Sequence, residues 1–246
     1  MRRLVVVVGA LLVVGLPHLA QARPAASPRL TILAASSLTE VFPRIDRRAA
    51  YSFAGSNQLA LQLEQGAPAD LFASASPTFT RRLYRKRLIE KPRTFASNAL
   101  VLAVPQSNPA GLGSVFDLRG RNVKLVIGTA AVPIGAYTRK VLQKLGLTDV
   151  LSKVVSEEPD VKSIVGKLAL GEADAGFVYL TDAKPVSSRT RSIALPAWAQ
   201  PAIRYEVAVV KASSRPQAAA AFVKKLRSKR ARLLLRQAGF GLPKLP

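Results

Sequence analysis

Four short turns, rich in hydroxyls and free of charge, hold the residues of this chain best suited to chemistry: Ala34-Ala35-Ser36-Ser37-Leu38-Thr39, Phe53-Ala54-Gly55-Ser56-Asn57, Val132-Pro133-Ile134-Gly135 and Gly176-Phe177-Val178-Tyr179. What they offer is hydrogen-bond donation. Ser and Tyr hydroxyls donate, and the first backbone N–H groups of a helix have no intrahelical acceptor and carry partial positive charge. The first turn follows the apolar run Leu30-Thr31-Ile32-Leu33 and leads into a helix-like stretch, so its donors sit at a strand-to-helix junction. Such a junction holds an anion without a lysine. Each residue also has a purely structural reading. Ser37 and Ser56 suit the cap of the helix that follows, and Tyr179 suits a half-buried aromatic at a strand end. Pro133 suits the first turn of a helix, and Asp160 suits a helix start better than an anion site, where its carboxylate would repel the ligand.

The usual catalytic groups are missing. The chain has one His, His18, and no Cys. His18 falls in residues 1–22, which read as a secretory signal: Arg2 and Arg3, an apolar run from Leu4 to Leu16, then the small-x-small site Ala20-Gln21-Ala22. That run of about 13 residues is shorter than the roughly 20 of a spanning helix. A mature chain from Arg23 has 224 residues and neither His nor Cys. This removes Ser-His-Asp triads, Cys-His pairs, the usual zinc sites, disulfides and the acylated Cys of a lipoprotein. The expectation is a soluble periplasmic protein. An exported hydrolase using Ser37 or Ser56 with a Lys base is the catalytic alternative, but neither Ser stands in a G-x-S-x-G or S-x-x-K frame.

The elements that must position these turns alternate along the chain. Strands are expected over 30–33, 51–53, 70–73, 100–104, 124–128, 153–155, 173–179 and 205–210, and helices over 38–47, 58–65, 78–87, 135–145, 161–170, 216–226 and 229–237. Pro77 opens one helix at its first turn, and Gly66-Ala67-Pro68-Ala69 ends another. Repeated strand–helix–strand units predict an α/β fold with parallel or mixed sheets. The pattern recurs after residue 124. Two lobes are therefore expected, 23–104 with 205–246 and 105–204, joined by two crossover strands around a cleft.

The formal charge is +23, or +21 without Arg2 and Arg3. In Arg81-Arg82-Leu83-Tyr84-Arg85-Lys86-Arg87 the cations surround a stripe of Phe79, Leu83 and Leu88, the pattern of a solvated helix face. No aromatic-interleaved surface accompanies the charge, so no nucleic-acid partner is expected. A basic polyanion-binding protein is an alternative from another class.

Six segments carry a more specific signal: Ala34-Ala35-Ser36-Ser37-Leu38-Thr39, Phe53-Ala54-Gly55-Ser56-Asn57-Gln58-Leu59, Gly66-Ala67-Pro68-Ala69-Asp70-Leu71-Phe72, Val132-Pro133-Ile134-Gly135-Ala136-Tyr137, Glu172-Ala173-Asp174-Ala175-Gly176-Phe177-Val178-Tyr179 and Gln237-Ala238-Gly239-Phe240. On these the sequence resembles the periplasmic molybdate-binding proteins of ABC importers, a branch of the type II periplasmic binding protein fold. The resemblance implies two α/β lobes, each a mixed sheet flanked by helices, and a tetrahedral dianion held in the cleft by neutral donors. It implies hydroxyl donation from Ser37, Ser56 and Tyr179 and backbone donation from Ile134 and Val161. Ser36, Gly55 and Asn57 are additional candidates. It further implies no enzyme activity, no cofactor, molybdenum present only inside the bound oxyanion, an ABC transporter permease as partner, and a monomer. Tungstate is implied together with molybdate, and sulfate or thiosulfate is the alternative ligand. Neutral donors suit a fully deprotonated dianion, whereas the proton on phosphate would find no acceptor, at a cost of roughly 1–3 kcal/mol. The chain departs from the family between Leu38 and Ser56, where it is several residues shorter near Asp46 to Ala50. It departs again at Ser36 and Asn57, where Ala and a small hydroxyl residue are common.

Overall fold

Short apolar strands with helical connections build two lobes in a computed structural model that describes residues 29–243. The expected signal over 1–22 lies outside the described residues. The first lobe begins with β1 (Thr31–Ala35), a 3-10 turn at Ser36–Leu38, α1 (Phe42–Ile45), β2 (Ala50–Ala54), α2 (Ser56–Glu64), β3 (Leu71–Ser74), α3 (Pro77–Arg85) and β4 (Arg93–Asn98). The second contains β5 (Leu100–Pro105), α4 (Asp117–Gly120), β6 (Leu125–Gly128), α5 (Pro133–Lys144), β7 (Val154–Glu158), α6 (Val161–Ala169), β8 (Ala175–Tyr179), α7 (Leu180–Ala183) and β9 (Thr190–Ala194). The chain then returns to the first lobe through β10 (Ile203–Val209), α8 (Pro216–Lys225) and α9 (Lys229–Gln237).

The two sheets have the same plan. The first runs β2-β1-β3-β10-β4 and the second β7-β6-β8-β5-β9. In each, three parallel strands lie beside an antiparallel strand that has just crossed from the other lobe. The central strands β3, β6 and β8 are buried along their whole length, as parallel strands covered by helices on both faces must be. In the first lobe, α2 and α3 cover one face over Leu33, Phe72, Phe79 and Leu83. On its other face α8 and α9 lie over Phe42, Phe222 and Leu235.

The expected α/β architecture of two mixed sheets flanked by helices is what the chain forms. Two details differ. The strand expected over 100–104 as the last of the first lobe is β5, which pairs with β8 and β9 in the second sheet. The first passage between lobes thus falls at Ala99 rather than after Val104. The helix expected over 38–47 breaks into the 3-10 turn and the four-residue α1, because Pro43 lacks the N–H that a continuous helix needs there and fits only in a first turn. The short link after α1 is tied by Tyr51, whose hydroxyl donates to the carbonyls of Phe42 at 3.1 Å and Asp46 at 2.7 Å.

Candidate functional site

Four chain reversals meet where the lobes face each other. The turn after β1 presents Ser36 and Ser37, and the start of α2 presents Gly55 and Ser56. The start of α5 presents Ile134, and the start of α6 presents Val161. Tyr179 comes from the end of β8. These residues, with Ala35, Ala54, Ala75, Val132 and Pro133, line a narrow cavity of about 10 Å³. That is about the room one water molecule takes and far below the roughly 300–1,000 Å³ of pockets for drug-sized molecules, so the lobes stand nearly closed on each other here. No charged side chain is among the twelve lining residues.

The local sequence explains these positions. Gly128 and Gly135 let the end of β6 and the start of α5 approach so closely that a Cβ on Gly135 would stand 2.0 Å from the carbonyl oxygen of Thr129. Asp160 caps α6 by accepting from the N–H groups of Lys162 (2.7 Å) and Ser163 (3.2 Å). This leaves Val161, the first helical residue, without a capping partner for its N–H. A Cβ on Gly55 would lie 2.6 Å from the Pro159 carbonyl oxygen of the opposite lobe. The lobes can approach this closely only because residue 55 has no side chain.

Neither serine caps a helix. Ser56 Oγ accepts from the N–H of Ala75 at 3.1 Å, leaving its own proton free to donate. Ser37 Oγ lies 2.7 Å from the hydroxyl of Tyr205. Asn98 Nδ2 donates to that same hydroxyl at 3.2 Å and to Thr181 Oγ1 at 2.9 Å. Tyr179 is buried, and its hydroxyl has no protein partner among the described residues. Burial, reinforced by Tyr205, Tyr137 and Asp182, holds that phenol well above its ordinary pKa, so it keeps its proton. Burial also pushes the neighbouring carboxyl of Asp182 up to about 6, against the opposing pull of Lys162 and Thr181. Lys162 Nζ stands 3.4 Å from Asp182 and 3.2 Å from Glu40, an ion pair that spans the two lobes.

Of the residues the sequence singles out, Ser37, Ser56, Ile134, Val161, Tyr179, Ser36 and Gly55 come together around this one space. Asn57 does not. Its half-buried side chain folds back beside Gly55, where its Oδ1 would be 2.7 Å from an added Cβ. Sequence reasoning missed Tyr205, Asn98 and Asp182, which support the cavity from behind. Their signal was a polar residue within or beside a buried strand, and it names no partner.

Two α/β lobes closing on a small, uncharged, donor-lined cavity define a solute-binding protein of the kind that encloses its cargo between domains. Residues 30–241 match the bacterial extracellular solute-binding protein family, and the chain belongs to it. It is 33% identical to the molybdate-binding protein ModA of Mycobacterium tuberculosis over 96% of both chains. With the molybdate-binding protein ModA of Haemophilus influenzae it shares 34% identity, over 86% of this chain and 88% of that one. Its fold is that of the periplasmic molybdate-binding protein of Azotobacter vinelandii, with a TM-score of 0.78 at 23% identity, covering 88% of this chain and all of that one.

Proposed function

We propose that this protein captures molybdate, and tungstate with it, between its lobes and delivers the ion to an ABC importer at the membrane. One observation carries the reading: a small cavity at the lobe interface lined by hydroxyls and helix starts, with no charged side chain. Ser37, Ser56 and Tyr179 donate through hydroxyls, and Ile134 and Val161 donate through backbone N–H. Ser36 and Gly55 complete the wall. Three converging helix starts supply positive potential without a counter-ion. Molybdenum is held only through its oxo groups. No catalytic step and no cofactor is needed, in keeping with relatives that are binding proteins. In this reading the protein works as a periplasmic monomer after loss of residues 1–22.

Calorimetric titration of the mature chain, freed of anion, tests this reading with molybdate, tungstate, sulfate and phosphate. Tight one-to-one binding of the first two, with the last two silent, is expected. Sulfate bound as tightly as molybdate would change the ligand, and silence from all four would overturn the reading.

A further inference from the structure

Behind Ser37 the hydrogen bonds run in one direction. The Asn98 amide is oriented by its own neighbour: the N–H of Ala99 donates to Asn98 Oδ1 at 2.9 Å, so the oxygen must face that way and the NH₂ group the other. An amide NH₂ can only donate. Its two contacts, Thr181 Oγ1 and the Tyr205 hydroxyl, are therefore both acceptors toward Asn98. Tyr205 is fully buried, and the oxygen that receives the Asn98 proton has its own proton left to give. Ser37 Oγ, at 2.7 Å, is its acceptor. With that proton on its oxygen, the single proton of Ser37 is left for the cavity. Among the described residues, no other hydrogen-bond partner of Ser37 Oγ competes for it.

We propose that Asn98 and Tyr205 are positioning residues that fix Ser37 as a donor toward the cavity, and thereby set the preference for fully deprotonated oxyanions over those that carry a proton. A free serine hydroxyl would rotate and accept the proton of hydrogenphosphate. Here that rotation leaves two protons, one from Tyr205 and one from the ligand, converging on Ser37 while its own hydrogen has no acceptor. The inference rests on the cavity being the oxyanion site. It adds that selectivity is written partly in residues that never touch the ligand. The buried phenol of Tyr205 stays protonated, because burial first and the charge of Asp182 second hold its pKa far above the ordinary value.

The test is Tyr205→Phe in the mature chain, titrated with molybdate and with inorganic phosphate at about pH 8, where phosphate is mainly its singly protonated dianion. Molybdate affinity should fall by no more than about tenfold, the loss of one neutral hydrogen bond. The ratio of phosphate to molybdate dissociation constants should narrow by about tenfold or more, matching one proton no longer refused. In a Ser37→Ala background the same Tyr205→Phe change should leave the ratio where it was. A general loosening of the cleft would narrow it there too and would contradict the relay. Asn98→Asp provides a second route should Tyr205→Phe not fold. Its carboxylate accepts from Tyr205, reverses the chain and turns Ser37 into an acceptor, so the ratio should again narrow. A ratio unmoved in a folded variant overturns the relay alone. Wild-type protein that binds neither anion overturns the site itself.

Discussion

Tyr179 separates binding from stability. Its hydroxyl is buried and makes no protein hydrogen bond among the described residues, so the fold loses none when it is removed. In the proposed complex the same hydroxyl donates to a dianion, a contact worth about 1.5–3 kcal/mol. Tyr179→Phe should therefore weaken molybdate binding by about 10- to 150-fold while leaving the melting temperature of the anion-free protein equal or higher. Calorimetry on the one variant reads both quantities, and a lower melting temperature with unchanged affinity would make Tyr179 a structural aromatic after all. Asp182 carries a cost. Its carboxyl, ordinarily near 3.8, is raised to about 6 chiefly by burial. Between those values the folded chain holds a proton that the unfolded chain has released, so this group's contribution to stability falls as pH rises through the window and stays low above it. Asp182→Asn should thus raise the melting temperature at about pH 7.5 and change it little at about pH 4. A gain that grows toward acid would contradict this. What the sequence disclosed at this scale was the hydroxyls themselves. Ser37, Ser56 and Tyr179 stand in short uncharged turns, and the resemblance to the molybdate-binding family is what singled them out as candidate donors. Asn98 and Tyr205 become meaningful only when β4 and β10 pair and bring them together, from 107 positions apart, at 3.2 Å.

Among the elements, α6 does more than present Val161. The next residue, Lys162, lies between buried Asp182 of its own lobe and Glu40 of the other. Glu40 is 54% exposed, so the pair is worth about 0.2–1 kcal/mol, or about 1.5- to 5-fold in affinity. The sign of a Glu40→Gln experiment is informative, because deleting a carboxylate near an anion site should tighten binding through charge alone. As a tie between closed lobes, Glu40 predicts weaker binding and a faster release rate with little change in association, readable by stopped flow. Tighter binding would show that only its field matters. Several elements were legible beforehand for plain reasons. Pro77 opens α3 at its first turn, and the apolar β3, β6 and β8 read as strands from their sequences alone. The edge strands β4 and β9 escaped notice. Their sequences, Arg93-Thr94-Phe95-Ala96-Ser97-Asn98 and Thr190-Arg191-Ser192-Ile193-Ala194, mix charge with few apolar residues, as solvent-facing edges do.

For the whole molecule, the exchange of β5 and β10 between lobes is the organising fact. Each sheet is completed by a strand that enters directly from the other lobe, so both passages end inside a hydrogen-bonded ladder. No pattern within residues 100–104 announced this, since an apolar strand reads the same in either sheet and pairing decides. Charge is also divided unequally. Residues 29–98 and 203–243 carry 21 Lys and Arg against 6 Asp and Glu, whereas residues 99–202 carry 12 against 8. The first lobe is thus the main source of a field that draws anions toward a cavity which itself holds no charged side chain. Diffraction from crystals grown with tungstate tests this arrangement most directly, because the tungsten position is read from anomalous scattering. The expected result is one site between the lobes, its oxygens within hydrogen-bond distance of Ser37, Ser56 and Tyr179 hydroxyls and of the Ile134 and Val161 N–H groups. Tungstate found instead on the basic faces of α3 or α9, with the interlobe cavity empty, would contradict it.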